Sequence, residues 1–216
     1  MSLPLRTFIL LAIAAAPACA QQPKQSKTPE PVVALATDGL AGQLVAVLPL
    51  TMVVSDPRLP GPTGLDARTR TMRWADSLLG DALQERAPEV QWILPPALRR
   101  TAERAVGVMP SPDHMGQSVM RSPVLKNVPD PLRAYLRQLV ALSGGARFAL
   151  IPAALYLTPG PSDSITVQLS AVLADGRLGR VVWRTMAKGT GGTADQAFRA
   201  ALSTILATDA PPPSSP

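Results

Sequence analysis

The sequence predicts an α/β (α+β) fold: a single domain in which a mixed sheet of about four to five strands carries three or four helices and ends in a β-hairpin followed by a helix. Three observations predict it. Apolar runs of strand length alternate with stretches of helical spacing along the chain. Ile165, Val167, Leu169, Ala171 and Leu173 alternate strictly, turn at Asp175-Gly176 and Gly179, and return through Val181, Trp183, Thr185 and Ala187 as a hairpin. Thr193 with Gln196 three residues on forms a capping box that opens a last amphipathic helix.

Residues 1–20 carry the pattern of a secretory leader. Arg6 supplies a positive start, Phe8 to Ala16 is an uninterrupted apolar run, and Pro17 breaks it. Ala18-Cys19-Ala20 then places small residues before Gln21, so cleavage between Ala20 and Gln21 is expected. The run is shorter than the roughly 20 apolar residues a spanning helix needs, so the expected product is a soluble domain, periplasmic or secreted, of bacterial origin. An alternative cut leaves Cys19 as a lipidated first residue on the outer membrane. It has the small residue Ala18 before the cysteine but lacks the leucine three positions upstream.

Residues 21–42 read as a flexible tether, polar and proline-containing from Gln21 to Pro31, with a candidate short strand over residues 32–36. That strand pairs with Leu44 to Leu48 through the turn dipeptide Asp38-Gly39. The domain is expected over residues 43–208, and residues 209–216 are a disordered Pro/Ser tail.

Within the domain, Leu44 to Leu48 suits a short buried strand ended by Pro49, and Ser55 to Gly64 a loop. Met72, Ala75, Leu79, Ala82 and Leu83 recur at helical spacing up to Ala87-Pro88. Val90 to Leu94 is a second strand. Pro95-Pro96 opens a helix with Leu98, Ala102, Ala105 and Val106 inside and Arg99, Arg100 and Arg104 outside. Gly107 to Pro129 is a proline-rich segment with one short helix over Asp113 to Met120. Asp130-Pro131 supplies a cap and a first helical proline for the stripe Leu132, Tyr135, Leu136, Leu139 and Val140, which Gly144-Gly145 ends. Phe148 to Leu157 is apolar on both faces, so it reads as a central strand with a bulge or break at Pro152. The last helix buries Ala197, Phe198, Ala201, Leu202, Ile205 and Leu206.

Composition narrows the function classes. The formal net charge is +6, and loss of Arg6 with the leader leaves about +5. The positive charge is almost all arginine, spread along the chain without a polybasic tract, so nucleic acid is not an expected partner. The one cysteine lies at the cleavage site, so the mature domain has no internal disulfide and relies on apolar burial.

No residue constellation points to catalysis, and no cofactor or metal is expected. His114 is the only histidine, it lies in the proline-rich segment, and no second imidazole or mature thiol accompanies it. No G-x-S-x-G turn is present for a serine nucleophile. Asp81 and Glu85, four apart on one helix, repel mildly rather than form an acid–base pair. Gly189 to Ala194 matches G-x-G-x-x-A, but the helix it opens is the last element and no strand follows to carry a ribose-binding acid, so a flexible turn is expected. Trp74, Trp92 and Trp183 are assigned to packing.

Several segments resemble one bacterial envelope domain. Leu44-Val45-Ala46-Val47-Leu48-Pro49-Leu50 is similar to the V-A-V-L-P-F opening strand of the module shared by the TolB amino-terminal domain, the curli-secretion lipoprotein CsgG and penicillin-binding-protein activator lipoproteins. Ala75 to Leu83 resembles its first helix, Gly145 to Pro152 its G-A-D-Y-V-L-x-G segment, and Val167 to Lys188 its L-x-D-x-x-T-G-x-x-x-W hairpin. Arg147 stands where that module has an acidic residue, and Pro152 where it has a glycine. The resemblance implies a non-catalytic envelope domain that binds another protein, with no catalytic residue to transfer. The alternatives are an outer-membrane lipoprotein subunit anchored through Cys19 and a divergent hydrolase built on a carboxylate pair assembled by the fold.

Overall fold

The computed structural model describes residues 32–59 and 65–206, so Ala18, Cys19, Ala20, Gln21 and the 209–216 tail lie outside the described residues. The chain forms β1 (Leu44–Val47), β2 (Val53–Ser55), α1 (Leu65–Arg86), β3 (Gln91–Ile93) and α2 (Pro95–Arg104). It continues with α3 (Leu132–Leu142), β4 (Phe148–Pro159), β5 (Ile165–Asp175), β6 (Val181–Gly191) and α4 (Ala194–Ile205). This is the predicted α/β class. The sheet has six strands in the order β3-β1-β4-β5-β6, with β2 pairing β4. The β1, β2 and β3 pairings are parallel, and β5 pairs antiparallel with both β4 and β6.

Each sheet face carries its own core. On one side Ala75, Leu78, Leu79, Ala82 and Leu83 of α1 and Ala197, Phe198, Ala201 and Leu202 of α4 cover Val45, Val47, Leu155, Leu169 and Leu173. On the other, Leu98 of α2 and Leu132, Leu136 and Leu139 of α3 join Met109, Met115 and Met120 over Ala46, Leu48, Ala149, Ile151 and Val172. The alternation of β1, odd residues to one face and even to the other, follows from the period of two.

The strand predicted around Pro152 forms, and the register of β4 against β5 shifts between Pro152 and Ala154. Leu48 N–H donates to Leu150 O at 2.9 Å, so the alternation turns the donor-less side of Pro152 toward the break between β1 and β2. A proline there costs no ladder bond. Gly144 and Gly145 end α3 with φ of 89° and 78°, as the glycine pair predicts.

Five expectations need correction. Residues 32–36 form no strand; Leu35 N–H donates to Ile205 O at 2.8 Å, Trp183 Nε1 donates to the carbonyls of Val33 and Ala34, and Leu35 and Leu40 are buried in the α1–α4 core. The segment is thus held by α4 and β6, and Asp38-Gly39 lies in the 3-10 turn Thr37–Leu40 instead of a hairpin. Ser55, expected to open a loop, instead ends β2, where Val53, Val54 and Ser55 pair with Leu155, Tyr156 and Leu157. Val106 is 83 % exposed because α2 ends at Arg104, with Ala105 as its C-cap. The helix expected over Asp113 to Met120 is instead two 3-10 turns, Pro112–His114 and Gln117–Arg121, parted by left-handed Gly116. Asp130 caps nothing: its carboxylate pairs with Arg133 at 2.8 Å, and Pro131 occupies the cap position of α3.

The glycine motif also reads differently. Gly189 and Gly191 lie inside β6, not in a flexible turn. A Cβ on Gly189 would overlap Ala197 O and Ala201 N of α4, and one on Gly191 would lie 2.7 Å from Ala197 N. The glycines let strand and helix approach each other. Thr193 Oγ1 caps Gln196 N–H at 3.2 Å, while the Gln196 side chain accepts from Gly192 N–H at 3.1 Å, one residue earlier than in the usual box.

Candidate functional site

The sheet topology leaves a crevice above β1. The connection from β1 to β3 runs through α1 on one face, and the connection from β3 to β4 runs through α2 and α3 on the other. Two neighbouring parallel strands whose following helices lie on opposite faces leave an opening at their carboxyl ends, where α/β proteins commonly bind ligands.

A carboxylate–guanidinium cluster closes the floor of this crevice. Asp76, on α1, accepts Leu50 N–H at Oδ1 (2.7 Å) and Arg99 Nη2 at Oδ2 (2.6 Å). Arg99, on α2, also holds Asp113 of the first 3-10 turn through Nε (3.0 and 3.1 Å) and Nη2 (2.7 Å). One guanidinium therefore ties α1, α2 and the proline-rich segment to the end of β1. The side chain of Asp76 is only 4 % exposed, that of Arg99 20 % and that of Asp113 36 %.

Burial pushes the Asp76 carboxyl above the usual carboxylate range, against the pull of Leu50 N–H and Arg99. Burial also opposes ionisation of Asp113, but the Arg99 guanidinium outweighs it and holds this carboxyl low. Burial works against the Arg99 charge too, and its two carboxylates more than restore it, so the guanidinium is held more firmly charged than usual.

Gln117 is fully buried and donates from Nε2 to Pro49 O (3.0 Å) and Pro112 O (2.8 Å), fastening the proline-rich segment to the sheet end. Its Oε1 is buried without a partner among the described residues.

The fold thus brings two carboxylates together, Asp76 and Asp113, but with a guanidinium between them. Both oxygens of Asp76 are occupied, and Asp113 is held ionised. The arrangement is an ion-pair staple, and neither acid is poised to give a proton to a substrate. Arg99, predicted to face outward, points into the crevice because it follows Leu98 on the inner side of α2. Sequence reasoning missed Asp76, although a signal was present. Met72, Asp76, Leu79 and Leu83 fall on one helical stripe, and a carboxylate on an apolar stripe implies a buried partner.

The crevice holds two depressions. One, of about 380 Å³, is lined by Thr51, Arg68, Thr69, Met72, Arg73, Arg99, Asp113 and His114. The other, about 520 Å³, lies between α1 and α2 and mixes Arg73, Arg99 and Arg100 with Asp76, Asp81 and Glu103. His114 is exposed, as expected of a loop histidine, and Asp81 lies on the crevice wall. Among the described residues no group of three His, Cys, Asp or Glu side chains is arranged to hold a metal ion.

The sheet also presents an open edge. Val181 N–H donates to Lys126 O, and Asn127 bridges Arg180, which covers the start of β6. Trp183 and Arg184 also bond the carbonyls of Val33, Ala34, Met120 and Leu125, and from Thr185 to Gly191 β6 pairs only with β5 among the described residues. Met186 is 53 % exposed there. The three tryptophans pack as predicted: Trp74 lies tilted against Phe198 with ring centres 5.6 Å apart and donates to Asp195, and Trp92 donates to Ala87 O.

No known protein family and no curated protein matches the chain. Among solved structures the fold is similar to the LpoB C-terminal domain from Salmonella enterica (16 % identity, 71 % of this chain and 84 % of that one, TM-score 0.35). It is also similar to lipoprotein GNA1162 from Neisseria meningitidis (15 %, 69 % and 81 %, TM-score 0.37). A third is a PelC dodecamer from Paraburkholderia phytofirmans (14 %, 84 % and 90 %, TM-score 0.37). No helix among the described residues is long and apolar enough to cross a membrane.

Proposed function

We propose that this chain is an exported, non-catalytic interaction domain of the bacterial cell envelope, and that β6 docks an extended strand of another envelope protein. The observation that carries this is that from Thr185 to Gly191 β6 pairs only with β5 among the described residues. Edge N–H and C=O groups are satisfied by water or by another strand, and natural sheets shield edges they do not use. Here Trp183 and Arg184 hold neighbouring segments over the first part of β6, and the part from Thr185 on carries exposed Met186 with a single lysine, Lys188. Export rests on the leader pattern of residues 1–20.

A photo-crosslinking residue placed in turn at Met186, Lys188 and Glu103 in the native host tests the reading. The expected outcome is one envelope-protein adduct from Met186 and Lys188, none from Glu103, and loss of the adduct when Met186→Lys and Thr190→Lys are introduced with unchanged circular dichroism. Adducts that ignore position, or hydrolysis of ester, peptide or glycan substrates that Asp113→Asn abolishes, overturn it. A second reading anchors the same domain in the outer membrane through Cys19, favoured by Ala18 before the cysteine and the polar Gln21–Pro31 stretch after it. A mass spectrum of the mature N-terminus separates them: a diacylated Cys19, or a free or cyclised Gln21.

A further inference from the structure

We propose that the smaller depression at the carboxyl end of β1 binds an oxyanion, a carboxylate or phosphate group, between Arg68 and Arg73. Both arginines project from one side of α1 toward Thr51 and the 3-10 turn that carries His114. Neither makes an ion pair among the described residues, and the only hydrogen bond of Arg68 there is a long one to Thr51 O at 3.4 Å. Arg99 lines the same depression, and its bonds to Asp76 and Asp113 use Nε and Nη2. Three guanidiniums therefore converge with donors to spare.

The local charge balance favours an anion. Among the described residues Asp113 is the only acid lining this depression, and Arg99 already pairs with it. The neighbouring depression shares Arg73 and Arg99 and adds Arg100, Asp76, Asp81 and Glu103, so its acids lie away from Arg68, which lines only the smaller depression and tips that end positive. The staple below makes the site rigid: Asp76 holds both the Leu50 amide and Arg99, so the floor is fixed before a ligand arrives. Guanidinium is the side chain best matched to planar or tetrahedral oxyanions, through its fork of donors. A volume of about 380 Å³ is at the small end of ligand sites and suits one anionic group with a short attached body. The site lies on α1, away from β6, and does not depend on the strand-docking reading.

The test is titration of the full mature chain with pyrophosphate and, separately, succinate, followed by amide chemical shifts. Saturable shifts are expected at Thr51, Met72, Arg73 and His114, weakening several-fold when NaCl rises from about 0.05 to about 0.3 M. Arg68→Gln with Arg73→Gln is expected to raise Kd at least about tenfold, while the exposed Arg199→Gln on α4 leaves it unchanged. Because both arginines lie at the surface of α1, the double variant keeps the native spectrum elsewhere; Arg68→Lys with Arg73→Lys retains the charge and part of the binding. The tighter of the two probes identifies a phosphate or a carboxylate source. Absence of saturable shifts at these amides, or equal affinity in the double glutamine variant, overturns the proposal.

Discussion

Replacing Gly189 by alanine tests the packing on which the second half of the fold depends. β6 and α4 meet so closely that the added Cβ would overlap Ala197 O and Ala201 N, and it would stand 2.8 Å from Ala200 C. All three are helix backbone atoms, so no side-chain rotation relieves the overlap; α4 must retreat. Retreat strips contacts from Ala197, Phe198, Ala201 and Leu202, each buried against the sheet. Inserted methyls in packed cores cost about 1–3 kcal/mol where side chains yield, and a rigid helix backbone puts this case at about 3 kcal/mol or above. For a domain of this size that lowers Tm by roughly 6–12 °C. Urea unfolding should show a lower midpoint at unchanged slope. Gly39→Ala is the control: nothing lies within 4 Å of the point its methyl would occupy, and it should change stability by no more than about 0.5 kcal/mol. A loss below about 1 kcal/mol for Gly189→Ala, or parity with Gly39→Ala, refutes the close approach and returns these glycines to the flexible turn predicted from sequence.

Two further outcomes follow from the staple at the end of β1. Asp113 is held below its ordinary 3.8 because Arg99 outweighs the cost of burial, so its contribution to stability is full above that value and is lost as pH falls through the lowered one. Asp113→Asn should therefore flatten that part of the acid limb in urea midpoints measured against pH, and an unchanged limb contradicts the pairing. Gln117→Leu keeps the volume but leaves Pro49 O and Pro112 O without their donor; a loss of about 1–3 kcal/mol is expected by urea unfolding, and a neutral effect means that water reaches these carbonyls.

Legibility in the sequence followed the range of the interactions. The β5–β6 hairpin was readable because alternation and its turn are local, and the capping box and stripe of α4 are local too. Pro152 announced its own irregularity. β2 was not readable: three residues with no period became a strand only because β4, about 100 residues away in sequence, offers the free side beyond its bulge. The segment around Leu35 failed for the same reason, since its partners, Ile205 and Trp183, come from the far end of the chain. Asp76, Arg99 and Asp113 lie on three elements, and nothing in the spacing of any one of them names the other two. Only the carboxylate on the α1 stripe hinted at a buried partner. Gly189 shows the reverse error, in which a local motif suggested a turn and a tertiary contact decided its role.

The sheet order supplies a last prediction. Between β1, beneath the arginine depression, and β6 stand β4 and β5, so the two surfaces are three strand spacings apart. At 4.7–4.9 Å per spacing that is about 14 Å, beyond the 7–10 Å within which substitutions usually couple. No ion pair among the described residues links α1 to β6. Combining Arg68→Gln and Arg73→Gln with Met186→Lys and Thr190→Lys should therefore give additive effects: anion affinity as in the arginine pair alone, and strand docking as in the β6 pair alone. Stability changes should sum within about 0.5 kcal/mol in urea unfolding. Two short structural links join them: α4, which packs on β6 and touches α1 through Trp74 and Phe198, and the proline-rich segment, which Arg184 holds at Met120 O and Leu125 O and Arg99 at Asp113. If a coupling exceeds that margin, Trp74→Phe, which removes the bond to Asp195, separates them: it abolishes a coupling carried by α4 and leaves one carried by the proline-rich segment.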